Sequence, residues 1–286
     1  MVDENMTDAI SGPDALTAQD LPQAAALSAA LSWPHRLEDW RFGYDLGHGL
    51  ALRQGGRLVG TAMAWDYGPD FATVGSIIVD SQFKGQRLGS RIFDALMDTL
   101  GERSVILAAT LEGLELYRRR GFVGFDQICQ HQGIAANVAA VAQADGVEQA
   151  KSADLPAVLE LDAAATGMPR RELIARLVEA GDLRVLRAAD GRPRGYAITR
   201  EFGRGHVVGP VVAATEDDAQ VLITDALSRL QGRFVRIDTS IGSGLGPWLE
   251  SQGLVHVDTV EAMVRGERPL PKGPGRVFAI SSQSLG

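Results

Sequence analysis

Short β-branched apolar runs alternate along the chain with longer stretches rich in Ala and Leu, whose apolar positions return at helical spacing, and this alternation predicts a mixed α/β fold. Leu16 to Ser32 reads as helical, and Trp33 to Gly49 as a helix or a loop carrying an aromatic pair. Two strands, Gly49 to Arg53 and Leu58 to Asp66, flank Gln54-Gly55-Gly56-Arg57, a hairpin-turn signature. Thr73 to Asp80 has few polar interruptions and is expected as a strand buried on both faces. Leu88, Ile92, Leu96 and Leu100 then mark one face of a helix, with Arg91, Asp94 and Asp98 on the other. A strand at Ser104 to Ala109, a helix from Leu111 to Arg120 closed by Gly121, and a final strand at Val123 to Gln130 complete the unit.

That unit recurs. Asp20-Leu21-Pro22 returns as Asp154-Leu155-Pro156, Gly56-Arg57 with Gly60 as Gly191-Arg192 with Gly195, Val74-Gly75 as Val208-Gly209, and Gly121-Phe122 as Gly253-Leu254. The order is the same and the spacing nearly constant, so the chain reads as two copies of one α/β unit joined between Ala136 and Ala150. The expected domains are residues 1–136 and 137–286.

Composition narrows the classes. With 286 residues, 45% of them hydrophobic and 22% charged, the chain is a globular protein and neither disordered nor fibrous. A net charge of -8 repels phosphate backbones and anionic lipid, which disfavours nucleic acid and membrane as partners. The lone Cys129 fits a reducing compartment. The acidic opening Met1-Val2-Asp3-Glu4-Asn5 is unlike a signal sequence, and no apolar run is long enough to span a bilayer, so the expectation is cytoplasmic. The histidines His35, His48, His131, His206 and His256 show no metal-ligand spacing, and no metal is expected.

The segment from Ser81 to Ser90, between the buried strand and the next helix, is the most informative. Free backbone amides and the positive end of a helix dipole make an anion site there, Gly85 and Gly89 admit a ligand close to the backbone, and Lys84 and Arg87 add charge. A phosphate or pyrophosphate site and a bare basic turn are both consistent with these residues.

In combination with Thr110-Leu111-Glu112-Gly113-Leu114-Glu115-Leu116-Tyr117-Arg118-Arg119-Arg120-Gly121-Phe122, the turn resembles the GNAT superfamily of acetyl-coenzyme A dependent N-acetyltransferases. In the turn, Lys84 fills the family's first slot, Arg87 a glycine slot and Gly89 the last. In the second segment Thr110 takes an Asn slot and Gly113 an Ala slot, while Leu116, Tyr117, Gly121 and Phe122 match. The resemblance implies two tandem GNAT-like domains, each a mixed central β-sheet flanked by helices, the first binding acetyl-CoA and the second degenerate. The coenzyme pyrophosphate would sit on the amides of Lys84, Gly85, Gln86, Arg87, Leu88, Gly89 and Ser90, and the pantetheine arm on the backbone of Ile78 and Val79, with Thr110 and Leu114 close by. An amine would attack the thioester directly, with Tyr117 as the acid that protonates the departing thiolate, a role a phenol fills because it is protonated at neutral pH.

The resemblance also points to Trp33, His35, Asp39 and Trp40 as the acceptor side, where carboxylates and aromatic faces would attract a small-molecule amine such as an amino acid, a polyamine or an amine antibiotic. Trp33 and Trp40 equally suit one buried helix face. In the second copy the phosphate turn becomes the acidic Ala213 to Gln220, and Leu249 stands at the Tyr117 slot, so that copy is expected to be non-catalytic and to help shape the acceptor site. Asp162, Arg170 and Asp238 are candidates for a cleft between the copies or for buried pairs. A binding or regulatory module that senses a coenzyme A thioester or a metabolite is the alternative, and the oligomeric state is left open.

Overall fold

The computed structural model describes residues 9–135 and 146–286. The acidic opening and most of the join between the copies lie outside these residues. The first half runs β1 (Ser11–Ala15), α1 (Leu21–Ala30), α2 (Leu37–Leu46), β2 (His48–Gln54), β3 (Arg57–Tyr67), β4 (Phe71–Val79), α3 (Leu88–Thr99), β5 (Ser104–Ala109), α4 (Leu114–Arg118) and β6 (Val123–Ile134). Pro22 opens α1, where its missing N–H costs nothing. Leu88, Ile92, Phe93 and Leu96 of α3 are buried against the sheet, as the helical spacing predicted.

The second half repeats this order element for element: β7 (Val147–Gln149), α5 (Leu155–Thr166), α6 (Arg171–Ala180), β8 (Gly181–Arg187), β9 (Pro193–Phe202), β10 (Gly205–Ala213), α7 (Glu216–Arg229), β11 (Phe234–Ser240), α8 (Gly246–Ser251) and β12 (Val255–Arg265). One more strand follows, β13 (Arg276–Ala279), which has no counterpart among the described residues of the first half.

All thirteen strands form one sheet, in the order β1-β2-β3-β4-β5-β12-β6-β11-β13-β10-β9-β8-β7. The strand β12 of the second half lies between β5 and β6 of the first, pairing Met263 with Leu107 on one side and Val260 with Ile128 on the other. In return β6 pairs with β11, Ile237 opposite His131. The two halves have exchanged their sixth strands. Val123 to Gln130, expected as the final strand of the first unit, is that strand in chain order, runs on to Ile134, and lies in the middle of the sheet because each of its edges finds a partner in the second half.

Helices α3 and α7 cover one face of the sheet. On the other face α1, α2, α5 and α6 share a single core with Trp40, Trp65, Tyr67, Leu159, Ile174 and Tyr196, which runs across both halves. Among the described residues no helix is long and apolar enough to cross a membrane.

Candidate active site

Strands β4 and β5 run parallel and pair only at their beginnings, from Phe71 opposite Ser104 to Thr73 opposite Ile106. Beyond that point β4 carries a bulge. Thr61 of β3 faces Ile78 and Met63 faces Gly75, so β4 holds one extra residue between these pairs, and Ser76 takes a left-handed φ of 51°. The Thr61 hydroxyl fixes the bulge by donating to the Ser76 carbonyl at 2.8 Å. The two strands diverge from there, and the β5-facing edge of Ile78 and Val79 lines a wedge-shaped slot.

At the mouth of that slot the chain turns into α3. Lys84, Gly85, Gln86 and Arg87 are exposed, and no side chain caps the helix, so its first amides are free to accept an anion. Arg87, in the position of a family glycine, holds a φ of 58°. The backbone shape that glycine favours is thus kept by a residue that pays about 1 kcal/mol to adopt it. A Cβ added at Gly89 would meet only Val79 Cγ2, at 3.9 Å, which leaves open space over the helix end. The acids nearest this turn are already engaged, Asp80 by Arg57 and Asp94 by Arg120, so Lys84 and Arg87 have no ion-pair partner among the described residues.

Tyr117 lies on α4 with its ring against Phe93, 5.1 Å between centroids, and Phe122, 6.0 Å. Burial pushes its phenol up to about 12, with Arg120 acting weakly in the other direction, so the group is fully protonated at neutral pH. A side chain at Gly113 would strike the Tyr117 ring at 2.6 Å, which explains why glycine stands one turn before it. Thr110 accepts the Gly113 amide through its carbonyl, and Leu114 packs beside the same core. Arg118, Arg119 and Arg120 are each paired with an acid, Glu261, Glu115 and Asp94.

The same place in the second half is built differently. Strands β10 and β11 also pair in parallel only at their start, and β10 also shifts register at Gly209-Pro210. Here the wedge is filled: β13 enters it, with Val211 and Thr239 both opposite Ala279. The helix that follows, α7, is capped by the Thr215 hydroxyl, which accepts from the Asp218 amide, and carries Glu216, Asp217 and Asp218 in its first turn. In place of the tyrosine stands Leu249, fully buried.

On the face of the sheet away from α3 lies a cavity of about 470 Å³. Ile106 and Ala108 of β5, Ile128 of β6, Ala262 of β12 and Phe278 of β13 give it an apolar floor. Its polar lining comprises Asp126, Arg268, Arg276 and Gln283 together with Arg170 and the hydroxyl residues Thr73, Thr166, Ser240 and Ser243, and the segment after β13 forms one wall. That segment also reaches the first slot: Ser284 sits so close to Gly75 that a Cβ there would lie 2.5 Å from its hydroxyl, and the Leu285 carbonyl accepts from Tyr67 at 2.7 Å. Among the described residues no group of three or more His, Cys, Asp or Glu side chains is arranged to hold a metal.

Comparison with known proteins agrees with this geometry. Residues 17–122 match the model of the acetyltransferase (GNAT) family, and residues 158–279 match that of an acetyltransferase (GNAT) domain. The chain belongs to the GNAT acetyltransferases. It is a tandem GNAT protein and an N-acyltransferase, with one such domain matched in each half. It is 27% identical over 217 residues to the uncharacterized N-acetyltransferase YitH of Bacillus subtilis (strain 168), covering 75% of this chain and 76% of that one. It is 26% identical over 226 residues, 77% of this chain and 75% of the other, to the holothin acyltransferase of Pseudoalteromonas sp. (strain SANK 73390). The fold is shared over 100% of this chain and 99% of the other with a candidate acetyltransferase of Pyrococcus horikoshii, at 17% identity and a TM-score of 0.78. It is also shared with a tandem GNAT protein from the clavulanic acid biosynthesis pathway, at 14% identity, 87% and 96% coverage and a TM-score of 0.59.

None of Trp33, His35, Asp39 and Trp40, expected on the acceptor side of this GNAT chain, lines the cavity. Trp40 is a core residue, 3% exposed, whose indole donates to Ser28 at 3.1 Å. Asp39 is consumed by structure: it accepts from the Arg36 amide at the start of α2, bonds the Arg36 guanidinium, and takes the Gly203 amide of the second half at 2.9 Å. Trp33 and His35 belong to the same seam, with His35 5.4 Å from the Phe202 ring. Burial, helped by Arg236 and Arg200, holds the His35 imidazole down at about 4 and therefore neutral, although Asp39 pulls the other way. Asp162 and Arg170 form a buried pair at 2.7 Å that also takes the Tyr196 hydroxyl, and Asp238 pairs with Arg236 at 2.6 Å. What sequence reading missed was the cavity wall around Phe125 and Asp126, since a bulge in β6 leaves no pattern in the residues.

Proposed function

We propose that the first half binds acetyl-CoA and transfers its acetyl group to the amine of a small molecule, and that the second half is a degenerate copy that walls the acceptor cavity. The observation that carries this reading is the open wedge between β4 and β5 beside an uncapped, basic helix start, set against the filled wedge of the second half. The amides of Lys84 and Gln86 close the turn onto Ser81 and Phe83, and those of Gly85 and of Arg87 to Ser90, with the space over Gly89, fit a pyrophosphate, while the free edge of Ile78 and Val79 fits an extended arm with alternating donors and acceptors. Thr110 and Leu114 close the slot on the α4 side. The amine nitrogen forms a bond to the thioester carbon, the carbon–sulfur bond breaks, and the Tyr117 hydroxyl gives its proton to the thiolate. On this reading residues 1–136 are the donor-binding domain and 137–286 the acceptor-shaping one, each completed by the other's sixth strand.

The test is thermal unfolding with acetyl-CoA, with coenzyme A and with ATP. A ligand at about 100 times its Kd adds roughly 2.7 kcal/mol of stability, and a rise of several degrees with acetyl-CoA and coenzyme A but not ATP is expected. No rise would remove the donor assignment. A rise without release of thiol in the presence of amines would favour a sensor of the thioester.

A further inference from the structure

The cavity on the face away from α3 has a feature that the fold does not require. In β6, Asp126 pairs with Ala262 while Gly124 pairs with Met263, so Phe125 is an extra residue in the ladder. A regular strand sends neighbouring side chains to opposite faces, whereas a bulge breaks that alternation. Phe125 and Asp126 both line the cavity as a result. The Arg268 guanidinium lies over the Phe125 ring at 4.6 Å, next to Asp126, and Arg276 stands on the same cavity. Neither arginine is ion-paired among the described residues; each rests on an aromatic ring, Arg276 on Phe278 at 5.5 Å. Gln283 adds a buried side-chain amide nitrogen with no hydrogen-bond partner on the same wall. One side-chain carboxylate, the two unpaired guanidiniums and the unpartnered Gln283 amide therefore stand around an apolar floor, with Arg170, already paired with Asp162, and the hydroxyl residues Thr73, Thr166, Ser240 and Ser243 completing the lining.

We propose that this cavity selects an apolar primary amine that carries a carboxylate, an apolar amino acid being the simplest example. Asp126 holds the ammonium end, Arg268 and Arg276 hold the carboxylate, and Ile106, Ile128 and Ala262 receive the apolar side group. A polyamine places a second cation against two free arginines and is disfavoured by like charge. This assignment rests on the reading of the β4–β5 wedge as the donor slot, since the amine must meet an acetyl group there.

Two measurements on the full chain separate the two ideas. L-phenylalanine, phenethylamine and spermidine are each incubated with acetyl-CoA and the free thiol is followed. L-phenylalanine is expected to exceed both in kcat/KM by about tenfold or more, the worth of one or two charge-assisted bonds. In the double variant Arg268→Ala, Arg276→Ala the ratio of L-phenylalanine to phenethylamine falls to about one, and in Asp126→Asn the KM for L-phenylalanine rises about tenfold. Both arginines are exposed, so the double variant folds. Faster turnover of spermidine or phenethylamine, or a ratio that the double variant leaves unchanged, overturns the proposal. Calorimetric titration of L-phenylalanine into the protein alone gives the second arm: if acetyl-CoA fails to bind, the donor reading falls, while binding of L-phenylalanine lost in the double variant still supports the cavity assignment and its absence defeats it.

Discussion

Two wedges of the same design stand in one sheet and only one of them is open. In both, two parallel strands pair at their beginnings and diverge past a bulge, at Ser76 in the first half and at Gly209-Pro210 in the second. The sheet itself does not distinguish them. What does is a four-residue strand and a helix cap. Strand β13 bonds into the second wedge, and Thr215 with three acids closes the helix end that would otherwise attract an anion. The first wedge has no such strand among the described residues, and its helix starts at a left-handed Arg87 without a side-chain cap. The open wedge leaves backbone groups unsatisfied, and the filled one satisfies them.

The largest expected effect tests the one side chain of chemistry that differs between the halves. Replacing Tyr117 by Phe should lower kcat by about 10²- to 10⁴-fold and leave the affinity for acetyl-CoA unchanged, whereas Leu249→Phe in the second half should leave kcat unaltered. Because burial keeps the Tyr117 phenol up at about 12, the rate of the native protein should show no loss of its acid between pH 7 and pH 10. A Phe variant with native turnover would take Tyr117 out of the mechanism.

Next comes the slot itself. Gly89→Glu sets a carboxylate where the pyrophosphate would lie and should weaken acetyl-CoA binding by about a hundredfold or more, without loss of thermal stability, because the added side chain enters open space. Asp217→Lys reverses a charge on the capped second helix and should not change that affinity at all. Equal losses in the two variants, read by titration calorimetry, would mean that the wedges are not different in kind.

The smallest effect lies on the seam between the halves. Burial holds His35 at about 4 against an ordinary 6.5, so between those values the unfolded chain takes up a proton that the folded one does not. Stability present at pH 7 is lost as the pH falls below 6.5, by about 2 kcal/mol at pH 5, and no further once His35 protonates in the folded state. In His35→Gln the fall in Tm between pH 7 and pH 5 should be correspondingly shallower.

Much of this arrangement is legible in the residues, for identifiable reasons. The strand Ser104–Ala109 and the helix from Leu88 follow from local periodicity, and the repeat follows from dipeptides that turns require. The exposed turn into an uncapped helix start is legible too, because free amides after a buried strand are a local property. Pairing partners are not local. Nothing in Val123–Ile134 or Val255–Arg265 says that each will join the other half, and nothing in Arg276–Ala279 says that it will close a wedge. The strand β1 escaped notice because Gly12 and Pro13 lie in it, both poor strand formers. The hydrogen bonds of Asp39 to the Gly203 amide and of the Trp40 indole to Ser28 are equally illegible, because those partners lie far away in sequence or on another helix.

The exchanged strands bear on how the protein is made. The edge of β5 that β12 covers is complete early, yet its partner emerges from the ribosome roughly 150 residues later, an interval of about eight to thirty seconds at about 5–20 residues per second. During that time the nascent first half holds an open sheet edge next to its own slot. The strand that braces the β4–β5 wedge is added only when β12 has been synthesised, so a translation product truncated before Val255 carries every residue of the wedge and still lacks that brace.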